Sequence, residues 1–211
     1  GTTYNSRLAG DQVDNIELAI HHHKLALKTI TENEFPVEWA DIQHALGNCY
    51  LDRRVDPKQE SFERAIKYFE AACRVYKQES SDSDLGMVYA SLGQAYTELD
   101  GESAIKQAVT YLNQALKIYT EESHPIEFAR VNNSLASAYM NLGRQKDLKR
   151  ASFHLIKAEK IFTRDRYPRE FAGINQNLGI NYASLGFNNN YFMEDAIERL
   201  QIALEVRKEF G

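Results

Sequence analysis

The 211 residues leave room for one large domain or two small ones with a sizeable core, and 43% hydrophobic and 26% charged residues with 11 Gly and 4 Pro exclude a disordered or collagen-like chain. The 25 basic and 30 acidic residues give a net charge of −5 and are interspersed along the chain, which argues against sequence-independent nucleic-acid binding. No apolar run reaches the roughly 18 residues of a membrane helix, no signal-peptide pattern opens the chain, and Cys49 and Cys73 read as small core residues of a reducing, cytoplasmic compartment.

In chain order, two landmarks recur. The first is a leucine followed by a small residue and then a tyrosine: Leu46-Gly47 with Tyr50, Leu92-Gly93 with Tyr96, Leu135-Ala136 with Tyr139, and Leu178-Gly179 with Tyr182, at intervals of 46, 43 and 43 residues. The second is an alanine pair seven apart: Ala19/Ala26, Ala65/Ala72, Ala108/Ala115, Ala151/Ala158 and Ala196/Ala203, at intervals of 46, 43, 43 and 45. Two landmarks keeping the same period mark an internal repeat. Around each, apolar residues step by three and four, as in Val131, Leu135, Ala138 and Leu142 or Leu112, Ala115, Leu116 and Tyr119, so each unit is two amphipathic helices, A then B.

The predicted boundaries are a leading partial unit over residues 1–33, then units at 34–79, 80–122, 123–165 and 166–211. Tyr4 precedes Ala19 by the interval separating Tyr50 from Ala65. It therefore reads as the closing Tyr of a helix A whose remainder is missing, followed by a turn and a helix B. With Phe210-Gly211 ending without a polar cap, this predicts an excerpt of a longer array whose exposed ends could dimerise. Pro36, Pro125 and Pro168 punctuate B-to-A junctions, where Pro in a first turn sacrifices no hydrogen bond. Insertions fall at the A-to-B turns, at Asp52–Gln59 and Gly186–Tyr191. The run Glu79–Asp84 reads as a solvated B-to-A linker or a phosphoacceptor stretch. No strand pattern appears, so the expected class is all-α.

These landmarks resemble the tetratricopeptide repeat, a helix–turn–helix unit of 34 residues. The longer period resembles kinesin-light-chain-like units, where His124-Pro125 with Ala129 and Asn132-Asn133-Ser134-Leu135-Ala136 is a familiar arrangement. Phe35-Pro36-Val37-Glu38-Trp39-Ala40 and Tyr167-Pro168-Arg169-Glu170-Phe171-Ala172 are similar to bacterial arrays joined to CHAT or other effector domains. The resemblance implies a right-handed superhelical α-solenoid whose A helices line a concave, peptide-binding groove.

Carried over by position, the groove residues are His44, Asn48, Met87, Gln94, Arg130, Asn133, Ser137, Gln176 and Asn177, with Ala90 and Ile180 at equivalent places and apolar pockets near Met87, Met140 and Ile180. Amides and hydroxyls both donate and accept, so they suit the backbone of an extended peptide; the competing reading is that they are solvated or bridge adjacent helices. Arg130 is the one cation in this set, which does not fit the several Lys or Arg of a carboxylate clamp. A neutral or mildly basic segment with an acidic anchor for Arg130 fits better. The expected function is a protein-interaction scaffold, or an intramolecular array regulating an effector domain. No catalytic, metal-ligating or cofactor-binding set is assigned. His21-His22-His23 fan apart on a helix, no His-Glu-x-x-His or phosphate loop occurs, and Cys49 with Cys73 reads as core before redox pair. Neither nucleic acid nor membrane is an expected partner.

Overall fold

A computed structural model describes the backbone over residues 2–53, 58–186 and 190–210 and the side chains over residues 14–53, 58–186 and 192–210. Among the described residues the regular structure is helical, with no strand: α1 Thr2–Ala26, α2 Pro36–Asp52, α3 Lys58–Gln78, α4 Asp82–Thr97, α5 Glu102–Ile118, α6 Pro125–Leu142, α7 Gln145–Ile161, α8 Pro168–Leu185 and α9 Asn190–Phe210. The A helices are α2, α4, α6 and α8; the B helices are α3, α5, α7 and α9. The chain divides into two compact units, Gly1–Leu99 and Asp100–Gly211. In the first, α1 packs on α2, α2 on α3 and α3 on α4; in the second, each helix from α5 to α9 packs on the next, and within each unit the A helices also touch. No described helix is long and apolar enough to cross a membrane.

The landmarks make the core. Leu46, Leu92, Leu135 and Leu178 are fully buried, and the alanine pairs of α3, α5, α7 and α9 are buried with them. In the second unit Ala129 and Ala136 of α6, Ala151, Leu155 and Ala158 of α7, and Ile174 and Leu178 of α8 form one cluster closed by Phe162. Small residues set how closely helices approach. A Cβ placed on Gly47 would lie 2.9 Å from Phe69 Cζ and closer still to the near ring edge, and one on Gly179 would lie 2.7 Å from Leu200 Cγ. Leu200 occupies the α9 position of Phe69 and Leu155 yet is 40% exposed, because no helix follows α9 among the described residues.

Three B-to-A junctions share one construction. Pro36, Pro125 and Pro168 each open a helix, and the residues before them, Phe35, His124 and Tyr167, adopt φ, ψ of −139°, 67°; −142°, 67°; and −140°, 62°, outside the helical region that the following ring disfavours. The amide of each donates to the carbonyl of a threonine four residues earlier: Thr31 at 2.9 Å, Thr120 at 3.0 Å and Thr163 at 2.9 Å. His124 and Tyr167 also pack their rings on Tyr119 and Phe162, at 5.2 and 5.3 Å between centroids. Proline spacing alone predicts the helix starts; the threonine is the further signal that the same turn is used three times.

Two expectations differ from the structure. The interval from Tyr4 to Ala19 predicts a turn, but α1 is one helix, Thr2–Ala26; no Pro interrupts this stretch, and a lone Gly10 is tolerated within a helical pattern. The side chain of Tyr4 lies outside the described residues. The run Glu79–Asp84 is not all linker, because α4 begins at Asp82. Ser80 reverses the chain at φ 55°, the Ser81 hydroxyl donates to Asp84 Oδ2, and Asp82 and Asp84 lie in the first turn, where the helix dipole favours acids. The predicted insertions Asp52–Gln59 and Gly186–Tyr191 fall partly on residues 54–57 and 187–189, outside the described residues.

Candidate functional site

The stripe on each A helix runs through positions five before, two before, two after and five after the landmark leucine, one helical face. On α2 these are Asp41, His44, Asn48 and Leu51; on α4, Met87, Ala90, Gln94 and Thr97; on α6, Arg130, Asn133, Ser137 and Met140; on α8, Gly173, Gln176, Ile180 and Ala183.

In the first unit the structure brings α2 and α4 together through His44. Its ring is 8% exposed, lies 5.3 Å from the Phe69 ring, and its Nε2 is 3.0 Å from Ser91 Oγ on α4. Burial lowers the His44 pKa below the ordinary histidine value, against the opposing pull of Asp41 and Asp84. His44 therefore joins two A helices and presents little surface to a ligand. Asp41 is tied to α3, accepting from the Tyr76 hydroxyl at 2.6 Å. Asn48 is half-buried, and Met87 and Gln94 are exposed.

The second unit repeats the bridge with different chemistry. Asn177 Nδ2 of α8 donates to Asn133 Oδ1 of α6 at 3.0 Å. The two bridges use equivalent places: two before the leucine on one A helix, one before it on the next. Ser137 donates back to the Asn133 carbonyl at 3.2 Å. Gln176 accepts from Arg207 of α9, so it is held from the B side. Arg130 and Ile180 are exposed. Of the nine residues assigned from sequence, His44, Asn133, Gln176 and Asn177 thus spend polar groups on neighbouring helices, while Met87, Gln94 and Arg130 stand open. A double-mutant cycle on Asn133→Ala and Asn177→Ala is expected to give a coupling of about 0.5–1 kcal/mol in chemical denaturation; strict additivity would show that the bridge contributes nothing.

Sequence reasoning overlooked a set of buried amides. Asn132 and Asn175, each three before the leucine, are fully buried. Asn132 Nδ2 donates to the Phe128 carbonyl at 2.8 Å, and its Oδ1 lies 2.8 Å from His154 Nδ1 of α7. The oxygen must accept, which fixes His154 as the Nδ1–H tautomer. Asn175 repeats this, donating to the Phe171 carbonyl at 3.0 Å and accepting from Arg199 of α9 at 2.8 Å. Asn181 donates to Leu148 O and Ser152 Oγ across α7, at 3.0 and 2.7 Å, while its own Oδ1 is buried without a donor. An amide recurring at an apolar row was the available signal.

Cys73 is buried and Cys49 half-buried, both are free thiols, and burial raises the pKa of each, which suppresses the reactive thiolate. No group of three or more His, Cys, Asp or Glu side chains among the described residues could hold a metal ion. Comparison with protein families finds no family model that matches the chain, and comparison with curated proteins finds no match.

Proposed function

We propose that this chain is a protein-interaction scaffold built from tetratricopeptide-like helix pairs, arranged as a right-handed superhelical solenoid and working in the cytoplasm. A peptide segment or partner domain lies along the A-helix stripes. The observation that supports this is the equivalent pairing of neighbouring A helices, His44 to Ser91 and Asn133 to Asn177. The same two repeat positions carry a polar seam within each unit. It leaves the alternate stripe positions Met87, Gln94, Arg130 and Ile180 exposed. Apolar Met87 and Ile180 supply contact area, Gln94 supplies a donor and an acceptor for peptide backbone, and Arg130 supplies an anchor for an acidic group.

The test is a comparative pull-down from source-cell lysate with quantitative mass spectrometry. The baits are the chain and its Met87→Ala, Gln94→Ala, Arg130→Ala, Ile180→Ala variant, matched by circular dichroism. These side chains are exposed, so the fold is expected to survive. A partner depleted about tenfold or more on the variant is expected. Equal retention by both baits removes the site from these stripes, and recovery of nothing by either favours an array regulating an effector domain of the same parent protein.

A further inference from the structure

The outward face of α7 departs from those of the other B helices in the second unit. Phe153 and Ile156 are 56% and 42% exposed. The equivalent residues are polar elsewhere: Thr110 and Asn113 on α5, Glu198 and Gln201 on α9, all exposed. Around the apolar pair stand Lys146 and Lys149 on one side and Lys157 and Lys160 on the other. At 100° per residue these six side chains fall within an arc of about 100°, and the lysines span about 21 Å of helix. Lys157 is drawn over the Phe153 ring, its Nζ 4.5 Å from the centroid.

No acid of α7 neutralises this strip. Asp147 is buried and paired with Arg144 at 2.6 Å and Arg150 at 3.4 Å. Glu159 is bound to Arg199 of α9. In a chain with net charge −5, α7 thus carries a concentrated positive strip with two apolar residues at its middle. The chain-wide interspersion of charge conceals it, because its cations lie three to eight residues apart.

We infer that this strip is a second docking surface, distinct from the A-helix stripes, for an acidic polypeptide segment carrying apolar side chains on one face. Charge complementarity selects the partner: carboxylates pair with the lysines at either end while apolar side chains cover Phe153 and Ile156. The width of the surface excludes a broad anionic partner. The strip is one helix wide, and α9, joined to it through Arg199 and Glu159, presents exposed Glu194 and Glu198. A lipid surface or nucleic-acid backbone laid across α7 would meet those carboxylates; a single segment along the helix axis avoids them.

The test uses the full chain and a short fluorescein-labelled synthetic peptide with Leu and Phe at helical i, i+3, i+4 spacing and Glu and Asp on the flanks, read by fluorescence anisotropy. Saturable binding that weakens with added salt is expected. Phe153→Ser with Ile156→Ser, and separately Lys149→Glu with Lys160→Glu, should each weaken it about tenfold or more, and the lysine-reversed chain should instead bind a peptide whose acids are replaced by Lys. The Met87, Gln94, Arg130, Ile180 variant should bind as the parent chain does, which separates this surface from the A-helix stripes. Absence of saturable binding, equal binding of a peptide with scattered Leu and Phe, or indifference to both α7 variants overturns the inference. So does co-sedimentation with phosphatidylserine–phosphatidylcholine vesicles that the α7 variants abolish while the peptide fails to bind, which would make the strip a membrane contact.

Discussion

Gly47→Val is expected to destabilise the first unit by about 3 kcal/mol, read as a fall in denaturation midpoint with helical signal retained in the folded baseline. Gly47 faces the fully buried ring of Phe69, and even a single Cβ would intrude on it. Two further methyls have no free space on that side, and overpacking of this kind typically costs about 1–3 kcal/mol, occasionally more. Helix propensity returns only a few tenths, since valine is itself a modest helix former. The milder Gly47→Ala should lose about 1–2 kcal/mol after its gain in propensity. Phe69→Leu should lose a similar amount through the space it leaves. The two together should lose less than their sum, because α6 and α7 already use that pair, with Ala136 and Leu155 both fully buried in one cluster. Additive losses would show that the two sites do not share space.

Asn132→Ala is expected to destabilise the second unit by about 2–3 kcal/mol at neutral pH. The substitution strands the His154 Nδ1–H donor in a packed setting between Tyr139, stacked at 5.6 Å, and Phe153, edge-on at 5.4 Å. Leaving such a donor unmet costs about 1–3 kcal/mol, and the small cavity adds to it. The same network makes stability depend on pH. Burial, reinforced by Lys157, pushes the His154 pKa down to about 4. In the unfolded chain a histidine titrates near 6.5, so on acidification the unfolded state takes up the proton first. The contribution is therefore fully present above about pH 6.5 and is lost as pH falls toward about 4. Because the ring is only half-buried, solvent screening reduces the loss to about 1–2 kcal/mol. His44, also lowered by burial, acts in the same direction. Denaturation midpoints at neutral and mildly acidic pH should show this decline in the parent chain and a shallower one in His154→Phe. An equal slope in both would mean that His154 does not carry the effect.

The difference between the two network asparagines illustrates how repeat units diverge without losing their frame. Asn132 and Asn175 occupy one repeat position and each anchors on the carbonyl four residues back, yet one meets a histidine and the other an arginine already bound to Glu159. Of these two networks, only the first places a titratable ring in a packed environment, so between them the acid-sensitive one is that of α6 and α7.

What the sequence determined by itself is the periodic part of the molecule. The leucine and alanine landmarks name the buried face of α2 to α9, though not of α1, where Ala19 and Ala26 are half-buried, because a side chain recurring every three to four residues returns to one side, and only burial of that side offsets the entropy of ordering the chain. Pro36, Pro125 and Pro168 name the helix starts because their rings act on the residue next to them. Those are local effects, legible wherever the residues stand. The tertiary structure decided everything that depends on a neighbour distant in sequence. Periodicity gives the direction of a polar side chain on its own helix but not what faces it, so His44, Asn133 and Gln176 could be placed on a stripe while their partners Ser91, Asn177 and Arg207 could not be foreseen. Asn132 and Asn175 showed in the sequence only as an amide recurring on an apolar row, and neither their partners nor the burial of Asn181 could be read from it. A polar residue on an apolar row is affordable only when another helix supplies its hydrogen bonds, and that helix is chosen by packing. The positive strip on α7 likewise emerged only when packing buried Asp147 and gave Glu159 to Arg199, leaving lysines that sequence composition alone had balanced.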